Sequence, residues 1–304
     1  MACSFKKIFL LAALAVAAAC CISCGIVRVP WLPEVSSGPP SIPGYTPRGT
    51  LQEISVPSTV PGISSRKMLV YLPEGYESGT GSYPVIYLLH GARGHETSWI
   101  DKGRVIQLSD SLFARRLAEP AIIVMPNMNQ YRNDRDYDGG RYKDAFESVF
   151  EMDGRVEAAF RNDVVRFMDS HYRTVANKQS RAVLGLSLGA FQSIVLSANN
   201  PDLFGFVGAF SPCMMAFGLP SRSRAFYHGL GEKLDSQFDA GGVDYFIYAG
   251  RNDFLLPSIQ GYHRYLRRND YPHSFILEPG SHSWKTWRAF YVDLLPQLFK
   301  PYEE

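Results

Sequence analysis

The sequence has almost no cysteine outside its first two dozen residues: Cys3, Cys20, Cys21 and Cys24 crowd the N-terminus, and Cys213 stands alone in the rest. One cysteine cannot build a disulfide framework, so the body must be held by its core, and Cys213 reads as a small packing residue. Charge of one sign is equally scarce. The 31 basic and 29 acidic side chains differ by two, and Lys6 and Lys7 account for the difference. Such a balance leaves no basic footprint for nucleic acid and no strong field for an acidic partner. No internal repeat is visible, and no apolar run reaches the roughly 20 residues of a comfortable membrane span.

What apolar run there is lies at the start. Lys6-Lys7 is followed by residues 8–19, all apolar, and then by Cys20-Cys21. A basic head, a short apolar stretch and small residues at its exit read as a secretory signal over residues 1–24. Ala17-Ala18-Ala19-Cys20 also resembles a bacterial lipoprotein signal, with Cys20 as the lipidated residue and Cys24 as second choice. The expectation is an exported protein, secreted, periplasmic or held at the cell envelope by an N-terminal lipid. Residues 25–50 contain Pro30, Pro33, Pro39, Pro40, Pro43 and Pro47 among Gly and Ser. Proline removes backbone donors and fixes φ, so this stretch reads as a tether, with one domain over residues 51–304.

Within that domain, short and nearly continuous hydrophobic runs alternate with helical patterns. Residues 85–89, 121–125, 182–184, 206–210, 245–248 and 275–277 are the runs. Strands buried on both faces have this composition, because helices cover each side of a parallel sheet. Helical spacing appears over residues 105–117 and 156–168, after Ser187, and over residues 258–268. Residues 51–56 and 67–72 would form an antiparallel edge. The pattern predicts an α/β fold with a mostly parallel central sheet and helices on both faces, and places the site at the carboxyl ends of the strands.

At one such end stands Gly185-Leu186-Ser187-Leu188-Gly189, a G-x-S-x-G nucleophile elbow. The serine of an elbow occupies a sharp strand-to-helix turn that requires small neighbours, and Gly185 and Gly189 meet that need. A serine hydroxyl is a poor nucleophile without a base, and the base needs an orienting acid. Asp253 follows the run at 245–248, and His282 follows the run at 275–277, in the chain order Ser, Asp, His of this fold. Asp244 precedes its strand and Glu278 is too near His282 to reach around it. His171, His228, His263 and His273 lie away from the predicted strand ends. The amides of Leu188, after the nucleophile, and of Ala92, in the loop Gly91-Ala92-Arg93-Gly94, are the expected oxyanion donors. His90 is expected to hold that loop by hydrogen bonds.

Together, Leu88-Leu89-His90-Gly91, the elbow, residues 250–253 and His282-Ser283-Trp284 with Trp287 resemble the putative-esterase family of α/β-hydrolases, as does Asp169-Ser170-His171-Tyr172-Arg173-Thr174. That family groups feruloyl and acetyl esterases, S-formylglutathione hydrolases and mycolyltransferases of the antigen 85 type. The resemblance spans residues 51–299, with Ala190 and Ser281 standing where the family often has glycine. It implies the α/β-hydrolase fold and Ser-His-Asp acyl transfer without cofactor, acting on a small-molecule or oligosaccharide ester, feruloyl or acetyl groups on carbohydrate foremost. Acyl transfer of the mycolyltransferase type, a formylglutathione hydrolase-like esterase and a non-catalytic binding module remain as alternatives. Trp99 and Trp284 are candidates for aromatic walls around the substrate. The polar loop 127–144 should reach the same face. Its segment Asp134-Arg135-Asp136-Tyr137-Asp138-Gly139 imitates the start of a calcium loop, but position twelve is Ala145 rather than glutamate, so no metal is expected.

Overall fold

The computed structural model describes residues 41–63, 65–129, 152–214 and 226–300. The predicted leader, residue Cys20 and the first part of the tether lie outside the described residues. Eight strands form one sheet: β1 (Thr50–Pro57), β2 (Ser65–Leu72), β3 (Val85–Leu89), β4 (Ile122–Pro126), β5 (Arg181–Leu186), β6 (Phe206–Phe210), β7 (Asp244–Gly250) and β8 (Ser274–Glu278). Their order is β1-β2-β4-β3-β5-β6-β7-β8. Strand β1 runs antiparallel to β2, and β2 antiparallel to β4. All remaining neighbours are parallel. The α/β-hydrolase expectation therefore stands, including the antiparallel edge.

The connections are helices α1 (Ser98–Asp101), α2 (Val105–Ala114), α3 (Arg155–Phe160), α4 (Arg166–His171), α5 (Leu188–Asn199), α6 (Leu230–Asp239), α7 (Leu256–Arg268) and α8 (Trp284–Leu294). Strands β3, β4, β5 and β6 are buried at every position. Alternate residues serve two cores: Val85, Tyr87 and Leu89 face the side covered by α3, α4, α5, α6 and α7. Ile86 and Leu88 face the side covered by α1, α2 and α8. A sheet sandwiched between helical layers has no polar face, which is why its central strands read as unbroken apolar runs. Among the described residues no helix is long and apolar enough to cross a membrane.

Three expectations change. Strand β8 is not buried on both faces; as the outer strand it is half-buried along its middle and exposed at both ends. The helix expected over 156–168 is interrupted by a π-helical turn, Arg161–Val165, between α3 and α4. In that turn the buried Asp163 accepts from the Thr59 amide (3.0 Å) and the Ser58 hydroxyl (3.0 Å). The third concerns the tether. Its described end, from Ser41, is docked rather than loose: Ile42 is buried in the core beneath α2, and Tyr45 donates its hydroxyl to Asp110 (2.6 Å).

Asp110, on α2, is the anchor of that docking. It also accepts from the Arg48 amide (2.9 Å) and from the Tyr71 hydroxyl of β2. Asp110→Ala would strand the buried Tyr71 hydroxyl and release the segment before β1. It should lower the unfolding free energy by about 2–3 kcal/mol, read as a shift in denaturant midpoint, with Asp110→Asn intermediate.

Candidate active site

The loops after β3, β5, β6, β7 and β8 converge at the carboxyl edge of the sheet. The sharpest turn is at Ser187, whose φ of 53° and ψ of −113° lie outside the ordinary regions for an L-residue. Its amide still donates to the Phe210 carbonyl (2.8 Å), extending the β5–β6 ladder, while its own carbonyl accepts from Phe191 (3.2 Å) to open α5. One residue thus ends a strand and starts a helix. The turn holds only because strand and helix nearly touch. A Cβ on Gly185 would collide with the Gly189 backbone, and one on Gly189 with the carbonyls of Leu89 and His90. The positive end of the α5 dipole consequently faces Ser187.

Asp253 and His282 arrive on two loops that are hydrogen-bonded to each other. The Arg251 amide donates to Glu278 (2.9 Å) and the Asn252 amide to Gly280 (2.8 Å). With the proton on Nδ1, His282 donates to both Asp253 oxygens, at 3.1 and 3.0 Å. Its Nε2 lies 3.0 Å from Ser187 Oγ and is left to accept the serine proton. Sequence reading of Ser187, Asp253 and His282 therefore names three side chains that the fold brings into one hydrogen-bonded line. Burial works against the Asp253 charge, but hydrogen bonds from His282, from the Ser211 hydroxyl and from the Leu255 amide outweigh it, so its carboxyl sits below the usual carboxylate range.

One residue of this network, Ser211, escaped the sequence reading. Ser211, buried just after β6, accepts from Trp287 Nε1 (3.1 Å) while its hydroxyl bonds Asp253. Trp287 also packs edge-on against the His282 ring, with centroids 4.8 Å apart. The signal for Ser211 was its position at the end of a buried strand, the same rule that located Asp253. Trp99, expected as a substrate wall, is 1% exposed and belongs to the core: its indole donates to the Leu89 carbonyl (3.0 Å), and its ring packs edge-on against Trp284 at 5.3 Å. Being bulky and wholly apolar except for one donor, it fills space under the site rather than facing solvent. Trp284 is half-buried beside Trp99 and Trp287.

On the other side of Ser187 runs the loop after β3. A Cβ on Gly91 would lie 3.4 Å from that of Ser187, so the backbone itself borders the serine. Ala92 packs on the cluster of Leu188, Phe191 and Val195 at the start of α5, which brings the two expected oxyanion residues together. His90 secures the loop as anticipated: Nδ1 donates to the Gly91 carbonyl (2.9 Å), and Nε2 accepts from the Met128 amide (2.9 Å). Both nitrogens are occupied in the neutral ring, so His90 is no base. The first residues of the 127–144 loop add to the latch. Asn127 donates to Glu96 (2.7 Å) and Asn129 to the Gly94 carbonyl (3.1 Å). The calcium-like segment of that loop lies outside the described residues.

Burial pushes the His90 imidazole down to about 4 from 6.5, with Arg66 and His95 adding to the effect against the Gly91 hydrogen bond. The unfolded chain therefore takes up a proton near pH 6.5 that the folded chain refuses until about pH 4. This contribution is complete above pH 6.5 and is lost as pH falls toward 4, amounting to about 3 kcal/mol. Unfolding free energy measured between those limits should fall in the wild type and fall less steeply in His90→Asn. Ser211→Ala, which leaves the Trp287 donor unpaired, should cost about 1–3 kcal/mol at neutral pH in the same denaturation assay.

Comparison with known proteins gives the family and the fold. Residues 63–227, more than half of the chain, match the profile of the Esterase family, described as "Putative esterase". An endo-1,4-beta-xylanase/feruloyl esterase of Xylanibacter ruminicola is 29% identical over 167 residues, covering 54% of this chain but only 22% of that protein. A ferulic acid esterase of known structure superposes with a TM-score of 0.69 at 25% identity, covering 83% of this chain and 98% of that one. A second ferulic acid esterase, from Anaeromyces mucronatus and solved with ferulic acid, shares the fold with a TM-score of 0.67 at 24% identity, covering 86% and 94%. The chain belongs to the putative-esterase family, and its fold is that of the α/β-hydrolases.

Proposed function

We propose that the protein is a serine esterase in which Ser187, His282 and Asp253 carry out hydrolysis of a carboxylic ester. The observation that carries this reading is the line from Asp253 through His282 to Ser187, with His282 Nε2 at 3.0 Å from the serine oxygen. Membership of the esterase family supports the same reaction class.

In this reading His282 takes the Ser187 proton as the serine oxygen attacks the ester carbonyl. Negative charge then moves to the carbonyl oxygen, and the amides of Leu188 and Ala92 supply the donors that receive it. The proximity of Ala92 to Leu188 supports that pairing. Collapse of the tetrahedral intermediate breaks the bond to the alcohol, which leaves with the proton from His282. Water enters, gives its proton to His282 and releases the acid, restoring Ser187. Asp253, held ionised by hydrogen bonds from three groups, keeps the imidazole tautomer correct and offsets its charge while it is protonated.

The substrate we infer is an acyl ester of carbohydrate, feruloyl or acetyl, because a xylanase/feruloyl esterase and ferulic acid esterases are among the similar proteins. Export, and attachment through a lipid on Cys20, are inferred from the N-terminal sequence alone. Release of p-nitrophenol from its acetate tests the mechanism. Ser187→Ala should lower kcat by about 10³-fold or more while leaving the melting temperature close to that of the wild type. A folded wild type with no turnover on acetyl or feruloyl esters would sink the proposal, and ester formed on an added alcohol would assign acyl transfer instead.

A further inference from the structure

Three large hydrophobic side chains are exposed among the described residues, Leu117, Phe254 and Val292, and Phe254 packs against the candidate triad. Its ring lies 4.7 Å from that of His282, tilted by 58°. The turn that carries it leaves no choice of direction. Asp253 and Leu255 are 5% and 3% exposed. The Leu255 amide donates to Asp253 Oδ1 (2.9 Å) and the Leu256 amide to the Asp253 carbonyl (3.0 Å), so both neighbours point inward and Phe254, 43% exposed, points out. One exposed apolar side chain is ordinary by itself; what sets Phe254 apart is that its open ring lies against His282.

Resting on the esterase reading above, we propose that Phe254 is the platform of an alcohol-side subsite that receives the sugar of a carbohydrate ester. Proton delivery dictates where the alcohol lies. His282 Nε2, which faces Ser187, must also protonate the departing alcohol, whose oxygen then lies within about 3 Å of it. The rest of the alcohol extends across what flanks the imidazole. Two aromatic rings do so: Trp287 at 4.8 Å, which is 6% exposed and closed off by the core, and Phe254 at 4.7 Å, which is open. The alcohol therefore meets Phe254. Arg251, Asn252 and Ser281 are exposed on the two hydrogen-bonded loops that carry Phe254 and His282. An apolar face bordered by donors and acceptors matches a sugar ring, with its C–H face on the aromatic ring and its hydroxyls at the edge. A simple alkyl alcohol would use the ring and none of the rim.

The test compares two esters of whichever acyl group, feruloyl or acetyl, the wild type hydrolyses: the methyl ester and the ester of a pentose. In Phe254→Ala, kcat/KM should fall about tenfold on the sugar ester and less than about threefold on the methyl ester. Phe254→Trp, which keeps an aromatic face, should hold both within about threefold of the wild type. Equal losses on the two esters would mean that Phe254 merely props His282, and no loss on either would mean that the sugar does not touch it; each overturns the assignment. A wild type inactive on every ester is a different result, since it overturns the esterase reading itself.

Discussion

The structure depends on how closely one strand and one helix can approach. Strand β5 must stop at Leu186, turn at a single residue with φ of 53°, and continue as α5 beneath the carbonyls that end β3. That contact leaves no room for a Cβ at Gly185 or Gly189. Once it forms, Ser187 is thrust beyond the sheet edge, the helix dipole faces it, and the β3 loop is drawn against it. The position of Ser187 is thus a packing consequence of two glycines, and its strained backbone persists because hydrogen bonds to Phe210 and Phe191 fix both of its ends.

Around this fixed point the charges are arranged in advance. Asp253 is buried, which taken alone would favour its neutral acid. Hydrogen bonds from His282, Ser211 and Leu255 reverse that preference. Ser211 is itself held by Trp287, whose ring also supports the imidazole edge. On the opposite side His90, Asn127 and Asn129 tie the β3 loop to the exit of β4. Preorganised polar groups of this kind need no rearrangement when charge develops, which is where their effect on a rate arises. The site is built between loops, yet each loop is latched to a neighbour.

Much of this was legible in the chain because the interior of a parallel sheet has a plain signature. Residues 85–89 and 206–210 are strands with the bounds that their apolar runs suggested, and β4 is shifted by a single residue. The elbow was legible through its glycines, and Asp253 and His282 through their place just beyond strands. Other features were hidden where composition is ambiguous. Trp99 has the chemistry of a binding residue and of a core residue alike, and only its neighbours decide. The proline-rich end of the tether looked loose because the hydrogen bonds that dock Tyr45 and Arg48 come from Asp110, more than sixty residues away. Strand β8 was read as buried because period and hydropathy do not say which strand lies at an edge.

By itself the sequence determined the fold class, the elbow and the identities of the three side chains that meet at Ser187, because those follow from local rules: apolar period, small neighbours at a strained turn, and position after a strand. Tertiary structure alone decided how they meet. The pairing of the β7 and β8 loops brings His282 within 3.0 Å of both Asp253 and Ser187, across 29 and 95 residues of chain. The same folding turns Trp99 inward and Phe254 outward. Distances of that kind depend on how whole layers pack, and no pattern of neighbouring residues encodes them.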